Sequence, residues 1–187
     1  DLNGLAQVIQ RMGGLIFTNT AAMQITGGIG AHVLTQSHHV IQAKYIVVAS
    51  NVPGNNKVAT HTRLIAYRSY IVALKIPKDS IPEALYWDTE EPYHYVRVYK
   101  DTGGPYDLLI VGGEDHRTGQ DTHPEKHFEN LKKWAQETFK VEPDVAYEWS
   151  GQIIEPTDAL GIIGRNPGDE NNVFIYAGDS GHGLTHG

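Results

Sequence analysis

Three adjacent ionisable side chains, Glu114, Asp115 and His116, follow an apolar segment and two glycines in the middle of the sequence. Carboxylates and an imidazole held close together can act as general acids and bases. Glycines beside them let the backbone approach a ligand closely, because they carry no side chain. A charged surface turn would have the same composition. The residues alone leave both interpretations open.

A second candidate group alternates aromatic and basic side chains along a predicted strand. Tyr93, Tyr95 and Arg97 would share one face of that strand and His94 would point to the other, because successive side chains alternate. Two phenols and a guanidinium could line a polar, aromatic pocket. A half-exposed strand surface is the alternative. We take the three residues as candidate substrate-binding side chains.

Two histidines, His123 and His127, lie four residues apart on a predicted helix. Zinc proteases that use this spacing place a glutamate directly after the first histidine, where this sequence has Pro124. We therefore expect solvated histidines near the start of a helix and predict no metal ligand.

The end of the sequence is rich in glycine. Gly178, Gly181 and Gly183 follow a short apolar run that is typical of a buried strand. A helix starting near Leu184 would present unpaired N–H groups, which attract anions. A glycine-rich tail with no function is the alternative.

The overall composition excludes several classes of function. The 187 residues carry 15 Lys and Arg against 22 Asp and Glu, a net charge of -7, which argues against binding to nucleic acid or an anionic membrane. No apolar run is long enough to predict a membrane-spanning helix. The absence of cysteine excludes disulfides and cysteine-ligated clusters within these residues. Without a recognisable signal peptide, the expected location is cytoplasmic.

The hydrophobic pattern predicts an α+β fold. Helices are expected over 2–12 and 123–139, where apolar residues recur at helical spacing. The segment 45–50 is almost wholly apolar and is expected to be a strand covered on both faces. Residues 158–168 are expected to form loops. Strands are predicted over 15–18, 21–26, 31–36, 39–43, 45–50, 64–76, 84–88, 94–100, 106–111, 144–149 and 173–177.

Three segments together resemble a known family. They are 109–120, 149–152 (Trp-Ser-Gly-Gln), and 163–165 leading to 178–187. They resemble the FAD-dependent amine and amino-acid oxidoreductases related to D-amino-acid oxidase and glycine oxidase. The branch indicated is one that often carries a C-terminal Rieske domain. Residues 45–53 are similar to the strand and turn with which this family returns to the cofactor.

The resemblance implies a β-rich substrate-binding domain, residues 57–154, whose sheet is covered by a helix. Residues 1–56 and 155–187 would be parts of an α/β FAD-binding domain. The family opens with a Gly-x-Gly-x-x-Gly turn for the FAD pyrophosphate; here Gly28-x-Gly30 is followed by Val33, and a hairpin turn is the better interpretation. We therefore expect a fragment of a longer enzyme, one that does not retain FAD by itself.

The resemblance also implies which residues contact FAD. Ala22 would offer its backbone to the adenine, Ala49 and Ser50 would pass near the cofactor, and the final loop would stabilise negative charge on the reduced flavin. The residues implied at the flavin edge and in the final loop are Trp149, Ser150, Gly151, Gly178, Asp179, Ser180, Gly181, His182, Gly183 and Leu184.

One departure from the family concerns the substrate. Oxidases of the glycine oxidase type place an arginine shortly after their Trp-x-Gly and another in the last loop, where this chain has Gln152-Ile153-Ile154 and Gly181. A substrate carboxylate would then depend on Arg97, or on the two tyrosines. The expected partners are a small amine or amino acid and a fused or separate Rieske-type domain. The rival hypotheses are a non-catalytic ligand- or partner-binding module and, less favoured, a histidine-based metalloprotein.

Overall fold

The computed structural model describes residues 2–55 and 60–186. They form two compact units, the first from the described residues of Asp1–Thr60 and Ile162–Ala177, the second from those of His61–Gly161 and Gly178–Gly187. The domain assignment 1–56, 57–154 and 155–187 stays a prediction. In chain order the elements are α1 (Leu2–Arg11), β1 (Ala22–Thr26), β2 (His32–Thr35), β3 (Val40–Gln42), β4 (Ile46–Asn51), a 3-10 helix (Thr60–Arg63), β5 (Leu64–Ile76), β6 (Leu85–Trp87), β7 (Tyr95–Tyr99), β8 (Asp107–Arg117), α2 (Pro124–Phe139), β9 (Val145–Pro156), β10 (Ile162–Arg165), β11 (Val173–Ala177) and α3 (Gly183–His186).

The first unit contains two small sheets around a shared apolar core. One sheet is antiparallel, in the order β1-β2-β3, and the other has the order β10-β11-β4. Strands β4 and β11 run parallel, so their carboxyl ends meet at the same edge. The core joins Ile46 and Val48 of β4 to Val173 and Ile175 of β11.

The expectation that β4 is covered on both faces is wrong for the described chain. Ile46 and Val48 are buried, whereas Val47 between them is 64% exposed. The apolar residues that pack against β4, including Ile25 and Val33, contact the core on one side only. Alternation along a strand then leaves Val47 outside that core.

The second unit is built on a five-stranded antiparallel sheet in the order β6-β7-β8-β5-β9. Helix α2 packs against one face, which we call the helix face, and buries Leu131 and Ala135 completely. On that face lie Tyr70, Val72 and Leu74 of β5. We call the opposite surface of the sheet the far face. It carries the large, partly or mostly exposed side chains Trp87, Tyr99, Tyr147 and Trp149.

The α+β class is confirmed, and several predicted elements are correct. The helix over 2–12 is α1, the helix over 123–139 is α2, and 64–76 and 173–177 are strands with the predicted bounds. A left-handed Gly13 ends α1, since Gly14 then donates its N–H to the Ile9 carbonyl at 2.9 Å. No helix in the described ranges 2–55 and 60–186 is long and apolar enough to cross a membrane.

Four local predictions are wrong. Residues 15–18 form no strand, because no neighbouring segment in the described chain pairs with them. Strand β8 continues past 111 to Arg117, and β9 continues past 149 to Pro156, because β5 is long enough to pair with both. Part of the predicted loop over 158–168 is strand β10, paired with β11.

Candidate functional site

A β-bulge in β8 sorts the three adjacent ionisable residues onto different faces of the sheet. Arg68 of β5 lies opposite His116 and Tyr70 lies opposite Gly113, so Glu114 and Asp115 together oppose the single residue Ser69. Glu114 adopts the left-handed conformation with φ 57°. Bulges often lie next to functional sites, where they redirect a side chain. Here the bulge puts Asp115 beside Ser69 on the far face and returns Glu114 to the helix face.

The far face carries a polar group that we call the Asp115 cluster: Asp115, Ser69, Tyr93 and Tyr95. The Tyr95 hydroxyl lies 3.2 Å from the Ser69 hydroxyl, and the Tyr93 and Tyr95 rings are 6.1 Å apart between centroids. The Tyr95 ring lies over Gly112, where a Cβ would come within 2.1 Å of Tyr95 Cζ. Oδ1 of Asp115 is buried and has no hydrogen-bond partner in the described part of the chain.

Burial dominates the electrostatics of this cluster. It raises the pKa of Asp115, and the Ser69 hydroxyl and the nearby His116 oppose the increase. It also raises the pKa of Tyr93 and of Tyr95, and the negative charge of Asp115 adds to both increases. Both phenols therefore stay neutral at ordinary pH and can donate hydrogen bonds.

The strand register continues the site across the far face. Tyr95, Gly112, Ile71 and Trp149 are direct neighbours on four successive strands. In the next row Gly151 lies opposite Ser69. Trp149 is 44% exposed, and nothing lies within 4 Å of a Cβ placed on Gly151. Two residues predicted at the flavin edge thus share a face with the tyrosine predicted to bind substrate.

Two other predicted residues do not join the Asp115 cluster. Ser150 lies on the helix face and accepts a hydrogen bond from Arg68 Nη1 at 2.9 Å. Arg97 follows Tyr95 on the same face of β7, but it lies opposite Ile110 and lines a separate open groove with Tyr99.

The helix face holds a second polar cluster, which ties α2 to β8. His127 is 8% exposed and lies between two carboxylates, with Nδ1 2.9 Å from Glu114 Oε2 and Nε2 3.0 Å from Asp121 Oδ2. Each ring nitrogen of His127 therefore lies within hydrogen-bond distance of a carboxylate oxygen. The pKa of Asp121 is lowered to about 2, chiefly by the backbone N–H of His123 and also by His127.

The predicted pair of solvated histidines is half right. The side chain of His123 is 79% exposed, but that of His127 is buried in this second polar cluster, the ion cluster of His127, Glu114 and Asp121. Across residues 2–55 and 60–186 no group of three or more metal-ligating side chains is placed to hold a metal ion.

The final loop is anchored to the end of the five-stranded sheet. Gly178 has φ 65°, and a Cβ there would lie 2.7 Å from Leu64 and 2.8 Å from Pro156. Ser180 donates its N–H to the Ile154 carbonyl of β9 at 3.2 Å. The next residues, Gly181, His182 and Leu184, are exposed, while Asp179 and Gly183 are half-buried. Because Ile154 is three residues from Gly151 in β9, this anchoring point lies about 10 Å along the strand from Gly151.

The first unit has an open cleft of about 710 Å3 that brings together Ala22 and Ser50. Its walls come from β1 and from the carboxyl end of β4, including Val48 and Val52. Ligands of α/β sheets bind outside the carboxyl ends of parallel strands. Ala49 is exposed on β4 and does not line this cleft.

Sequence reasoning missed Ser69 as a site residue. It is 2% exposed and lies in the middle of β5. A small hydroxyl residue within an otherwise long apolar and aromatic strand was the available signal. Asp115 was named with Glu114 and His116 as either an acid–base group or a charged turn, and the bulge that directs it to the far face was not foreseen.

Comparison with known proteins identifies the family. The model of the family "FAD dependent oxidoreductase" matches residues 2–187. The Bacillus subtilis (strain 168) protein "Putative Rieske 2Fe-2S iron-sulfur protein YhfW" is 32% identical over 184 residues, which are 97% of this chain and 35% of that protein.

Solved structures show the same fold. Glycine oxidase from Bacillus cereus ATCC 14579 matches with a TM-score of 0.69 and 15% identity over 97% of this chain and 50% of that chain. Fructosyl peptide oxidase from E. terrenum matches with a TM-score of 0.72 and 14% identity over 97% of this chain and 49% of that chain. This chain thus spans about a third of YhfW and half of the two oxidases. Since the family model covers nearly the whole sequence, the chain belongs to the family of FAD-dependent oxidoreductases.

Proposed function

We propose that this chain supplies the substrate-binding sheet, and part of the cofactor site, of an FAD-dependent oxidoreductase that oxidises an amine or amino acid. The observation that carries the proposal is the far face of the second unit. It joins two neutral phenols and a partly buried carboxylate to the exposed Trp149 and the open Gly151. Because the family depends on FAD, this face would bind the molecule that the flavin oxidises.

The described residues fit parts of FAD. The cleft of about 710 Å3 beside Ala22 and Ser50 is of ligand-binding size and opens at the carboxyl end of a parallel strand. Gly151 and Gly181 have open space where a Cβ would lie, so a flat ring could approach the backbone at either residue. Bound FAD would accept, at flavin N5, a hydride from the carbon beside the substrate nitrogen.

The chain's own residues would bind and orient the substrate. Tyr93 and Tyr95 would donate hydrogen bonds to its polar atoms, and the Trp149 ring would exclude water from the reacting carbon. Arg97 is the candidate for binding a substrate carboxylate in place of the arginines that this chain lacks, but it lies along β7 away from Asp115. This arrangement favours an amine over a simple α-amino acid.

The rest of the cofactor site would come from outside the 187 residues. The sequence contains no Gly-x-Gly-x-x-Gly turn for the FAD pyrophosphate. We propose that this segment belongs to the same native polypeptide, of which the present chain is a fragment. The name of YhfW supports a Rieske-type domain, fused or separate, as a partner of this chain.

The test starts from the native polypeptide, isolated from its source and measured for mass and flavin content. It should be larger than the 187-residue chain, contain one FAD, and lose its oxidised-flavin absorbance when mixed without oxygen with primary or secondary amines. The isolated chain, purified in parallel, should be colourless. A native polypeptide without flavin would contradict the proposal and favour the non-catalytic binding module.

A further inference from the structure

The Asp115 carboxylate is incompletely paired inside the protein. Oδ1 is buried and has no hydrogen-bond partner in the described part of the chain, and the neighbouring Ser69 hydroxyl also contacts Tyr95. A buried polar atom without a partner destabilises a fold, and an unpaired charge does so more strongly. The carboxylate therefore keeps hydrogen-bonding capacity that the described fold does not use and that a ligand can use.

The surroundings favour a cation as that ligand. Tyr93 experiences the negative charges of Asp115, Glu155 and Glu91. Among the basic side chains of these strands, His116 has its ring on the helix face and Arg97 lies along β7 beyond Tyr95.

The same surface offers aromatic rings as well as charge. Tyr93 and Trp149 are each 44% exposed, and the Tyr93 and Tyr95 rings lie 6.1 Å apart. Aromatic faces attract ammonium groups, by about 0.5–1 kcal/mol at exposed sites. A carboxylate among aromatic rings therefore matches an alkylammonium and repels an anion.

We propose that the Asp115 cluster binds the ammonium group of the substrate, with the Asp115 carboxylate accepting one N–H and the Tyr93 and Tyr95 rings contacting the cation. The inference rests on the proposed function, since it names the substrate class of that site. It specifies amines whose binding needs no carboxylate. Asp115 would be a specificity-determining residue that contacts the substrate nitrogen.

Binding can be measured on the 187-residue chain by NMR titration, with n-butylammonium as the probe. The amide signals of Ser69, Gly112 and Asp115 should shift and saturate with butylammonium, and they should stay in place with butyrate or 1-butanol. Asp115→Asn keeps the shape and removes the charge, and it should weaken butylammonium binding at least tenfold. Asp144→Asn, which removes an exposed carboxylate paired with Lys75, should bind as the wild type does.

A stability measurement separates a ligand-binding role from a structural one. Without ligand, Asp115→Asn should raise the melting temperature at pH 7, by about 2–4 °C for a chain of this size, because an unpaired buried charge is removed. At pH 3, below the ordinary aspartate pKa of 3.8, Asp115 is largely protonated in folded and unfolded chains alike, so the difference should nearly vanish.

Two results would overturn the inference. One is the absence of saturable butylammonium shifts at these amides, or equal binding by Asp115→Asn. The other is an Asp115→Asn chain that melts lower at pH 7 or does not fold, which would show that the carboxylate is needed for structure. Neither measurement uses flavin, so bleaching of the native flavoprotein by amines remains an independent test of the proposed function.

Discussion

The contact between Gly112 and Tyr95 makes a quantitative prediction about the site. In Gly112→Ala the new Cβ would lie 2.1 Å from Tyr95 Cζ and 2.4 Å from its hydroxyl oxygen, about 1.3 Å short of ordinary contact. The ring must therefore move off the sheet. That movement would break the 3.2 Å hydrogen bond with Ser69, which contributes about 1 kcal/mol.

Overpacking adds to this loss. Inserting a methyl group into a packed region costs about 1–3 kcal/mol. Replacing glycine with alanine in a strand raises the free energy of unfolding by about 0.5–1 kcal/mol, because alanine has less conformational freedom in the unfolded chain. The free energy of unfolding of Gly112→Ala should therefore fall by about 1–3 kcal/mol, the balance of these three effects.

Gly151→Ala is the matched control. Gly151 lies in the same sheet, opposite Ser69, and a Cβ there has nothing within 4 Å. This variant should be unchanged or more stable by up to about 1 kcal/mol. Urea denaturation of the 187-residue chain, followed by circular dichroism, measures both variants.

Equal stability of Gly112→Ala and Gly151→Ala would show that the Tyr95 ring does not pack on Gly112. A double-mutant cycle identifies the cause of any loss. In a Tyr95→Ala background the penalty of Gly112→Ala should largely disappear, because the ring it displaces is gone. A penalty that persists there would place the strain in the backbone instead.

Three further predictions concern the helix, the ion cluster and the final loop. Trp134→Ala should lower the free energy of unfolding, measured in urea, by about 3 kcal/mol, since the Trp134 ring stacks on His94 at 4.2 Å. Trp87 is 71% exposed, so Trp87→Ala should change the free energy of unfolding by about 0.5 kcal/mol or less. Equal effects of the two substitutions would contradict the packing of Trp134. Because its pKa is lowered to about 2, the Asp121 carboxylate stabilises the fold above pH 3.8, and this contribution should be lost as the pH falls toward about 2. Melting temperatures between pH 5 and 2 should therefore fall less steeply in Asp121→Asn than in the wild type. Parallel curves for the two chains would contradict a stabilising role of the Asp121 charge. Gly183→Ala places a Cβ 2.6 Å from a flexible Asp179 oxygen, so folding of the FAD-loaded native polypeptide should stay nearly intact. Flavin reduction, measured by stopped flow, should slow by roughly a hundredfold if the flavin ring is displaced by about 1 Å. Reduction at the wild-type rate with the flavin retained would contradict the proposed contact between loop and flavin.

Sequence periodicity predicted the fold where one face of an element is buried. The alternation over 64–76 and the apolar run 173–177 gave strands with the observed bounds, because their side chains repeat every two residues in the core. The segment 15–18 has the same kind of composition, yet it forms no strand. Strand formation needs a partner, and composition does not supply one.

The site was only partly predictable for a related reason. Alternation correctly placed Tyr95 and Arg97 on one face of β7. It could not place Asp115, because the bulge at Glu114 changes the register by one residue. It also gave no warning that Gly112 lies beneath the Tyr95 ring, since that contact joins residues 17 positions apart across two strands. Long-range contacts of this kind depend on strand pairing.

Amine oxidation can be tested by anaerobic flavin reduction of the native FAD-loaded polypeptide, with an amine that carries hydrogen or deuterium on the carbon beside the nitrogen. We expect the amine to bleach the flavin and deuterium to slow the bleaching, because that C–H bond would break in the hydride transfer. A flavin that no amine reduces would show that the native polypeptide does not oxidise amines.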